Sequence, residues 1–206
     1  MAHILNHPLL EAKMAILRSK TTGTKEFKEL VDEIAMLVTY EITRDLKTKE
    51  VQVETPLEVM TCHTLASDVL IVPVLRAGLG MVDGIRRVIP TAKVGHIGLY
   101  RNEETLVPVQ YYFKLPPVND QTVCLLVDPM LATGNSCNAS IKLLKNAGVK
   151  NITYVGLVGC PKGIAAVEAE NPDVNVYLVC CDRELNENGY ILPGLGDCGD
   201  RLFGTK

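Results

Sequence analysis

Residues 122–136 read TVCLLVDPMLATGNS, and this stretch decides the fold. It starts as a mostly apolar run with β-branched side chains, which is typical of a buried strand. The run ends at Asp128, a loop of small and hydroxyl residues follows, and residues 137–145 have a helical pattern. A strand that leads through such a turn into a helix offers phosphate both free N–H groups and the positive end of a helix dipole.

An ordinary strand-to-helix turn capped by Thr and Ser would give a similar pattern. The density of polar groups favours a phosphate site, because Thr133, Gly134 and Ser136 follow Asp128 within nine residues. The loop is neither a Walker A loop nor a dinucleotide-binding fingerprint, since it lacks both glycine patterns. Asp128 would add a hydrogen-bond acceptor beside the phosphate, so the loop favours a phosphate attached to a hydroxyl-bearing sugar.

Apolar runs of strand length alternate with helical patterns along the rest of the chain. Further apolar runs at residues 69–74, 92–99, 107–113, 152–158 and 174–181 alternate with helical patterns at 79–89, 135–147 and 161–171. This alternation predicts an α/β fold, a parallel-sheet core flanked by helices. Two more helices are predicted at 8–20 and at 24–46, the second capped by Thr24, and a half-exposed strand is predicted around 51–55.

Two segments break the alternation. Residues 100–117 are polar at first and then rich in Tyr and Pro, which predicts a flexible loop and β-ribbon that project from the sheet. Residues 186–206 contain five glycines mixed with apolar side chains, so we expect a structured tail in which the backbone approaches a ligand closely.

Composition limits the function classes. A chain of 206 residues with 47% hydrophobic and 22% charged residues fits one globular domain. A net charge of −3 and no Trp argue against a nucleic-acid partner. No apolar stretch reaches a membrane-spanning length, and Pro8 and Glu11 interrupt what a signal peptide would need. Seven cysteines without a Cys-x-x-Cys pair predict reduced thiols and a cytoplasmic protein.

Four motifs resemble the type I phosphoribosyltransferases. Residues 127–136 resemble their loop for phosphoribosyl diphosphate (PRPP), in the Asp-Pro variant of the uracil phosphoribosyltransferases. Residues 73–81 (PVLRAGLGM) are similar to the diphosphate loop, and 100–106 with 111–116 to the flexible loop. Residues 189–201 (GYILPGLGDCGDR) resemble the uracil-binding tail. The resemblance implies one domain over 1–206, with a small hood formed by the terminal segments.

The resemblance also implies an activity, the conversion of uracil and PRPP to UMP and diphosphate in pyrimidine salvage, with Mg²⁺ as cofactor. Asp128, Arg76 and Arg101 are the implied catalytic residues. Uracil is expected to contact Ile191, Gly196, Asp197 and Cys198. PRPP is expected to contact Arg76, Arg101, Asp128, Pro129, Met130, Leu131, Ala132, Thr133, Gly134, Asn135, Ser136 and Asp197. The ligands of the metal stay unassigned.

Several of these residues have a plainer reading when taken alone. Arg76 fits a surface arginine after a strand, Arg101 a solvated loop residue, and Tyr190 either a neighbour of the ribose or a core side chain. Two positions depart from the family pattern. Asn135 stands where Gly is common, and its tolerance of positive φ would keep the loop shape. Cys198 stands where Ala is usual, and it is small enough to fit.

Two rival functions remain at this stage. One is the same fold acting on another base, such as hypoxanthine or orotate. The other is a regulator that keeps the fold and binds RNA, against which the net charge and the complete tail weigh. The family resemblance further implies a homodimer or a higher oligomer, and GTP as an activator in some relatives.

Overall fold

The computed structural model describes residues 1–101 and 108–205, which contain six helices and thirteen strands; the side chain of Arg101 lies outside that description. The helices are α1 (Pro8–Arg18), α2 (Thr24–Ile42), α3 (Leu79–Val88), α4 (Asn135–Asn146), α5 (Pro161–Glu170) and α6 (Cys198–Phe203). The strands are β1 (Ala2–Ile4), β2 (Thr48–Glu54), β3 (Val59–Leu65), β4 (Val69–Leu75), β5 (Lys93–Val94), β6 (His96–Arg101), β7 (Pro108–Lys114), β8 (Val123–Val127), β9 (Met130–Leu131), β10 (Asn151–Gly159), β11 (Asn175–Cys181), β12 (Glu184–Leu185) and β13 (Ile191–Leu192).

The main sheet has the order β1-β11-β10-β8-β4-β6-β7, with β5 beside β4 and β9 beside β10. Its pairs are parallel except for β6 and β7 at one edge. The strand predicted from residues 122–127 is β8, and it lies inside the sheet between β10 and β4. The predicted α/β fold is confirmed.

The two faces of the sheet carry separate cores because side chains alternate along each strand. On β4, Val69 and Ile71 pack with α1, α2, α3 and α6. Leu70 and Val72 point the other way and pack with α4 and α5. Helices therefore cover both faces, which explains why β4 and β8 are apolar at nearly every position.

A few elements differ from the sequence predictions. Helix α2 begins at Thr24 with Gly23 in the capping position, so the prediction of Thr24 as the cap was wrong by one residue. The strand predicted over 92–99 is divided at Gly95 into β5 and β6, which both pair with β4. Strand β2 was predicted in part, but its antiparallel partner β3 was not.

Within the segment predicted as a projecting loop and β-ribbon, 100–117, strand β7 pairs antiparallel with β6 and forms the edge of the main sheet. Part of the predicted flexible loop, residues 102–107, lies outside the described residues. Within the described part of the chain, no helix is both long and apolar enough to cross a membrane.

Candidate active site

The candidate site lies at the carboxyl edge of the parallel strands. Arg76 follows β4 and Asp128 follows β8, and these strands are paired in parallel. The helices that come next pack on opposite faces of the sheet, α3 on one and α4 on the other. Such a divergence opens a crevice between neighbouring strands, which is where open α/β sheets bind ligands.

A cavity of about 260 Å³ occupies this crevice. Asp128, Met130 and Ala132 from the loop after β8 form one side of it. The tail forms the other side, and the lining residues there are Gly189, Tyr190, Ile191, Gly196, Asp197, Cys198 and Gly199, with Ala77 between the two. The cavity therefore joins part of the predicted PRPP loop to all four predicted uracil contacts.

Asp128 is the carboxylate at the strand end. Burial raises the pKa of its carboxyl group to about 7, and the Met130 N–H, which donates to Oδ1 over 3.4 Å, opposes that shift. Its backbone carbonyl accepts a hydrogen bond from the buried Tyr154 hydroxyl at 2.8 Å. The carboxyl group is thus fixed at the cavity wall with few partners, and it can accept hydrogen bonds from hydroxyl groups of a sugar.

The predicted phosphate loop leads into α4. Gly134 has a φ of 83°, a left-handed conformation that a side chain would strain, and it occupies the capping position of the helix. The first turn carries no acidic residue, and the capping Gly134 has no side chain, but the Thr133 hydroxyl accepts a long hydrogen bond from the Asn135 N–H at 3.4 Å. The N–H groups of the first turn and the Thr133 hydroxyl therefore form a set of donors that suits an anion.

Asn135 is the first residue of α4 rather than the residue with positive φ. The expected reliance on the tolerance of Asn for positive φ was therefore wrong, because Gly134 takes that conformation. Asn135 and Thr133 line an open groove of about 840 Å³ next to the cavity, and the charged residues on the same groove are Lys162, Arg183, Glu184 and Glu187.

The phosphate loop rests on the first turn of α5. The Leu131 carbonyl accepts a hydrogen bond from the Cys160 N–H at 3.2 Å, and the Ala132 carbonyl faces the Cys160 thiol at 3.1 Å. A Cβ on Gly163 would lie 2.6 Å from both of these carbonyl oxygens. Only glycine allows the helix to approach the loop so closely.

Arg76 extends from the loop after β4 towards the tail. Its Nη2 donates to Asp200 Oδ1 at 3.3 Å, and its guanidinium carbon lies 5.7 Å from the centre of the Phe203 ring. The side chain is 55% exposed, so it can still reach an anion in the crevice. Arg76 is thus a surface arginine after a strand, and its two contacts direct it towards the tail.

The tail is a set of glycine turns closed by α6. Gly189, Gly194 and Gly196 have positive φ. Asp197 caps α6, and its Oδ1 accepts a hydrogen bond from the Asp200 N–H at 2.9 Å. Tyr190 is 44% exposed and lines the cavity, which excludes the alternative of a core side chain.

Cys198 is buried, and burial raises the pKa of its thiol well above the ordinary value, so the thiol stays protonated.

Other predicted PRPP residues lie around the cavity rather than on it. Leu131 is buried in the core, and the Pro129 carbonyl accepts hydrogen bonds from the Leu157 and Val158 N–H groups. Ser136 is exposed in the first turn of α4. The side chain of Arg101 lies outside the described residues. Sequence reasoning named no role for Ala77, Gly199 or Asp200, although all three fall inside quoted motifs.

The described residues contain no cluster of three or more His, Cys, Asp or Glu side chains able to hold a metal ion. Two carboxylates, Asp128 and Asp197, line the cavity. Mg²⁺ commonly binds through one or two carboxylates together with substrate phosphates and waters. The donor set thus fits a Mg²⁺ ion that arrives with a diphosphate, and it does not fit a metal cage made of protein alone.

Solved structures share this architecture. The AQ2163 protein from Aquifex aeolicus superposes with a TM-score of 0.95 at 33% identity, over 100% of this chain and 99% of that one. Hypoxanthine phosphoribosyltransferase from Trypanosoma cruzi, in complex with the product IMP, has a TM-score of 0.52 at 11% identity, covering 77% of this chain and 79% of that one. This second likeness concerns the fold alone.

Relatives in sequence are more specific. The uracil phosphoribosyltransferase of Acholeplasma laidlawii is 57% identical over 98% of both chains, and that of Lactobacillus gasseri is 56% identical over 98% of both. The family model described as uracil phosphoribosyltransferase matches residues 4–205. Taken with the cavity between Asp128 and the tail, these matches show that the chain belongs to the uracil phosphoribosyltransferase family.

Proposed function

We propose that this protein transfers the phosphoribosyl group of PRPP to uracil, which gives UMP and diphosphate in pyrimidine salvage. One observation carries the proposal: the cavity joins the Asp128 loop to the glycine-rich tail within a chain of this family. The loop offers N–H groups to phosphate, and the tail offers backbone groups to the edge of a flat base.

The tail suits uracil because uracil has an N3–H donor between two carbonyl acceptors. Backbone at Ile191 and at 196–198 can supply both a C=O and N–H groups to such an edge. Cytosine reverses the donor and acceptor at N3 and C4, so it would leave buried polar groups unpaired. A mismatch of this kind discriminates by factors of about 10⁴ or more.

The proposed reaction is a displacement at the anomeric carbon of the ribose. The N1 atom of uracil forms a bond to this carbon, the bond to the diphosphate oxygen breaks with its electron pair, and the N1 proton leaves to solvent. Asp128 accepts hydrogen bonds from the ribose hydroxyls, and the first turn of α4 with Thr133 binds the 5′-phosphate. Arg76, and Arg101 by resemblance, stabilise the charge that develops on the diphosphate.

Mg²⁺ is part of the proposal. Asp128 and Asp197 would hold the ion together with the substrate, where it neutralises part of the diphosphate charge.

The deciding experiment is a UMP-forming assay with the purified protein, uracil, PRPP and Mg²⁺. We expect product from uracil and none from cytosine, hypoxanthine or orotate. Product from another base without product from uracil would refute the uracil assignment. RNA binding that falls with salt, without any UMP formation, would favour the rival regulator.

A homodimer or higher oligomer is the expected assembly. The β2–β3 hairpin supports this, because it exposes five large apolar side chains on its strands and turn: Val53, Leu57, Val59, Met60 and Leu65. Exposed apolar patches of this kind commonly mark contact surfaces. Light scattering of the intact chain and of a Val59→Lys variant tests the assembly, since a dimer built on the hairpin should weaken in the variant.

Activation by GTP rests on the family resemblance alone, and it is tested by measuring UMP formation with and without GTP. A cytoplasmic, reducing location is supported by the cysteines, since all seven are free and four of them are buried.

A further inference from the structure

Two charged side chains outside the quoted motifs hold the tail in place. Arg18 ends α1, and Asp182 directly follows β11. The guanidinium forms a two-pronged contact with the carboxylate: Nη1 lies 2.7 Å from Oδ2, and Nη2 lies 2.8 Å from Oδ1. Geometry of this kind is the strong form of an arginine–carboxylate pair.

The pair also binds both backbone groups of Gly194. Arg18 Nη1 donates to the Gly194 carbonyl at 2.6 Å, and the Gly194 N–H donates to Asp182 Oδ2 at 2.8 Å. Arg18 Nη2 has the Cys180 sulfur as a further neighbour at 2.9 Å. Gly194 has positive φ and lies between Ile191 and Gly196, two of the proposed uracil contacts.

The pair is well shielded from water. The side-chain exposure of Asp182 is 8% and that of Arg18 is 24%. Loss of one member would leave the other charge buried without its partner, which is far more costly than loss of an exposed ion pair. The ion pair is therefore able to hold the backbone at Gly194 in one conformation, unlike an ion pair that is exposed on the surface.

We propose that Arg18 and Asp182 are positioning residues for the base, which act by fixing Gly194 so that the flanking backbone meets uracil in the right register. This inference rests on the proposed uracil site. Neither residue lines the cavity, so both act through the tail rather than by touching the substrate.

Steady-state kinetics of Asp182→Asn and Arg18→Lys test the inference. Asp182→Asn keeps the shape of the side chain and removes its negative charge. Arg18→Lys keeps the positive charge and removes the guanidinium that makes the bidentate contact. We expect the KM for uracil to rise about tenfold or more, because small displacements at a reacting site have large effects, while the KM for PRPP changes less than about twofold. Hydrogen exchange should accelerate in residues 189–198 and not in α4.

The matched control is Asp173→Asn. Asp173 precedes β11 and pairs with Lys145 at 2.7 Å, whereas Asp182 follows the same strand at its other end. The control should leave both KM values unchanged. Equal increases in both KM values in the two test variants, or unchanged KM values, would overturn the positioning role.

A Gly196→Ala variant distinguishes failure of the proposed uracil site from failure of the positioning role. Gly196 lines the cavity with a φ of 83°. If this variant leaves the KM for uracil unchanged, the proposed uracil site is wrong. If it raises that KM while Asp182→Asn and Arg18→Lys do not, the uracil site stands and the positioning role is refuted.

Discussion

Gly163→Ala offers a sharp test of how the phosphate loop is held. The new methyl group would lie 2.6 Å from the carbonyl oxygens of Leu131 and Ala132. Ordinary contact begins at 3.4 Å, so the loop and α5 must separate by about 0.8 Å. Both oxygens belong to the backbone, and no flexible side chain can rotate away to make room.

The expected effect on catalysis is large compared with the effect on stability. A displacement of about 1 Å near a reacting centre can cost about a hundredfold in rate, so kcat/KM for PRPP should fall about 10- to 100-fold. Overpacking costs about 1 to 3 kcal/mol, and the better helix propensity of Ala returns about 1 kcal/mol. The net loss of up to about 2 kcal/mol lowers Tm by at most about 8 °C.

The assay measures kcat/KM for PRPP and for uracil, together with the melting temperature. Gly23→Ala is the matched control, because a Cβ there meets nothing within 4 Å and its φ is −74°. Wild-type kinetics in Gly163→Ala would refute the inference that α5 fixes the phosphate loop. A fall in Tm well beyond about 8 °C would indicate general damage to the fold.

Three further predictions concern single side chains. Burial raises the pKa of Asp128 to about 7, so kcat/KM of the wild-type protein should rise with pH through about 7. Asp128→Asn should lower the rate of UMP formation at least about a hundredfold. The pKa of Asp128 is about 7 in the folded chain and about 4 in the unfolded chain. Its contribution to the free energy of unfolding is therefore full below about pH 4 and is lost as the pH rises through 7. Asp128→Asn should therefore be more stable than wild type at pH 8, by up to about 4 kcal/mol in chemical denaturation; equal stability would contradict this sign. Cys198→Ala should keep UMP formation within about twofold, since the buried thiol is protonated, and a larger loss would give the sulfur a direct role. Asp200→Asn should lower the KM for PRPP up to about fivefold in dilute buffer, because Asp200 competes with diphosphate for Arg76. Salt at 0.5 M should abolish the difference between the variant and the wild-type protein. An unchanged or higher KM in dilute buffer would exclude that competition.

Sequence patterns predicted the structural features that are formed by residues close together in the chain. Strand β8, the turn at Asp128 and α4 are consecutive, so the apolar run, the glycine and the helical period were sufficient for them. Strand β3 was missed because both faces of the β2–β3 hairpin are largely exposed, and no alternation of burial marks it. The contact of Arg18 with Asp182 spans 164 residues and has no local signal at all.

The tail illustrates why such distant charges are needed. A base read by backbone groups requires glycines, and glycine loses more conformational freedom on folding than any other residue. Two arginines supply the missing order: Arg18, outside the tail, donates to the Gly194 carbonyl, and Arg201, in α6 of the tail itself, donates to the Leu195 carbonyl at 2.8 Å. Arg201 also stacks on Phe27 at 4.3 Å and donates to the Ser19 carbonyl, so the N-terminal helices hold two consecutive carbonyls of the tail. The terminal segments thus act together, since the orientation of the proposed uracil contacts depends on residues at the other end of the chain.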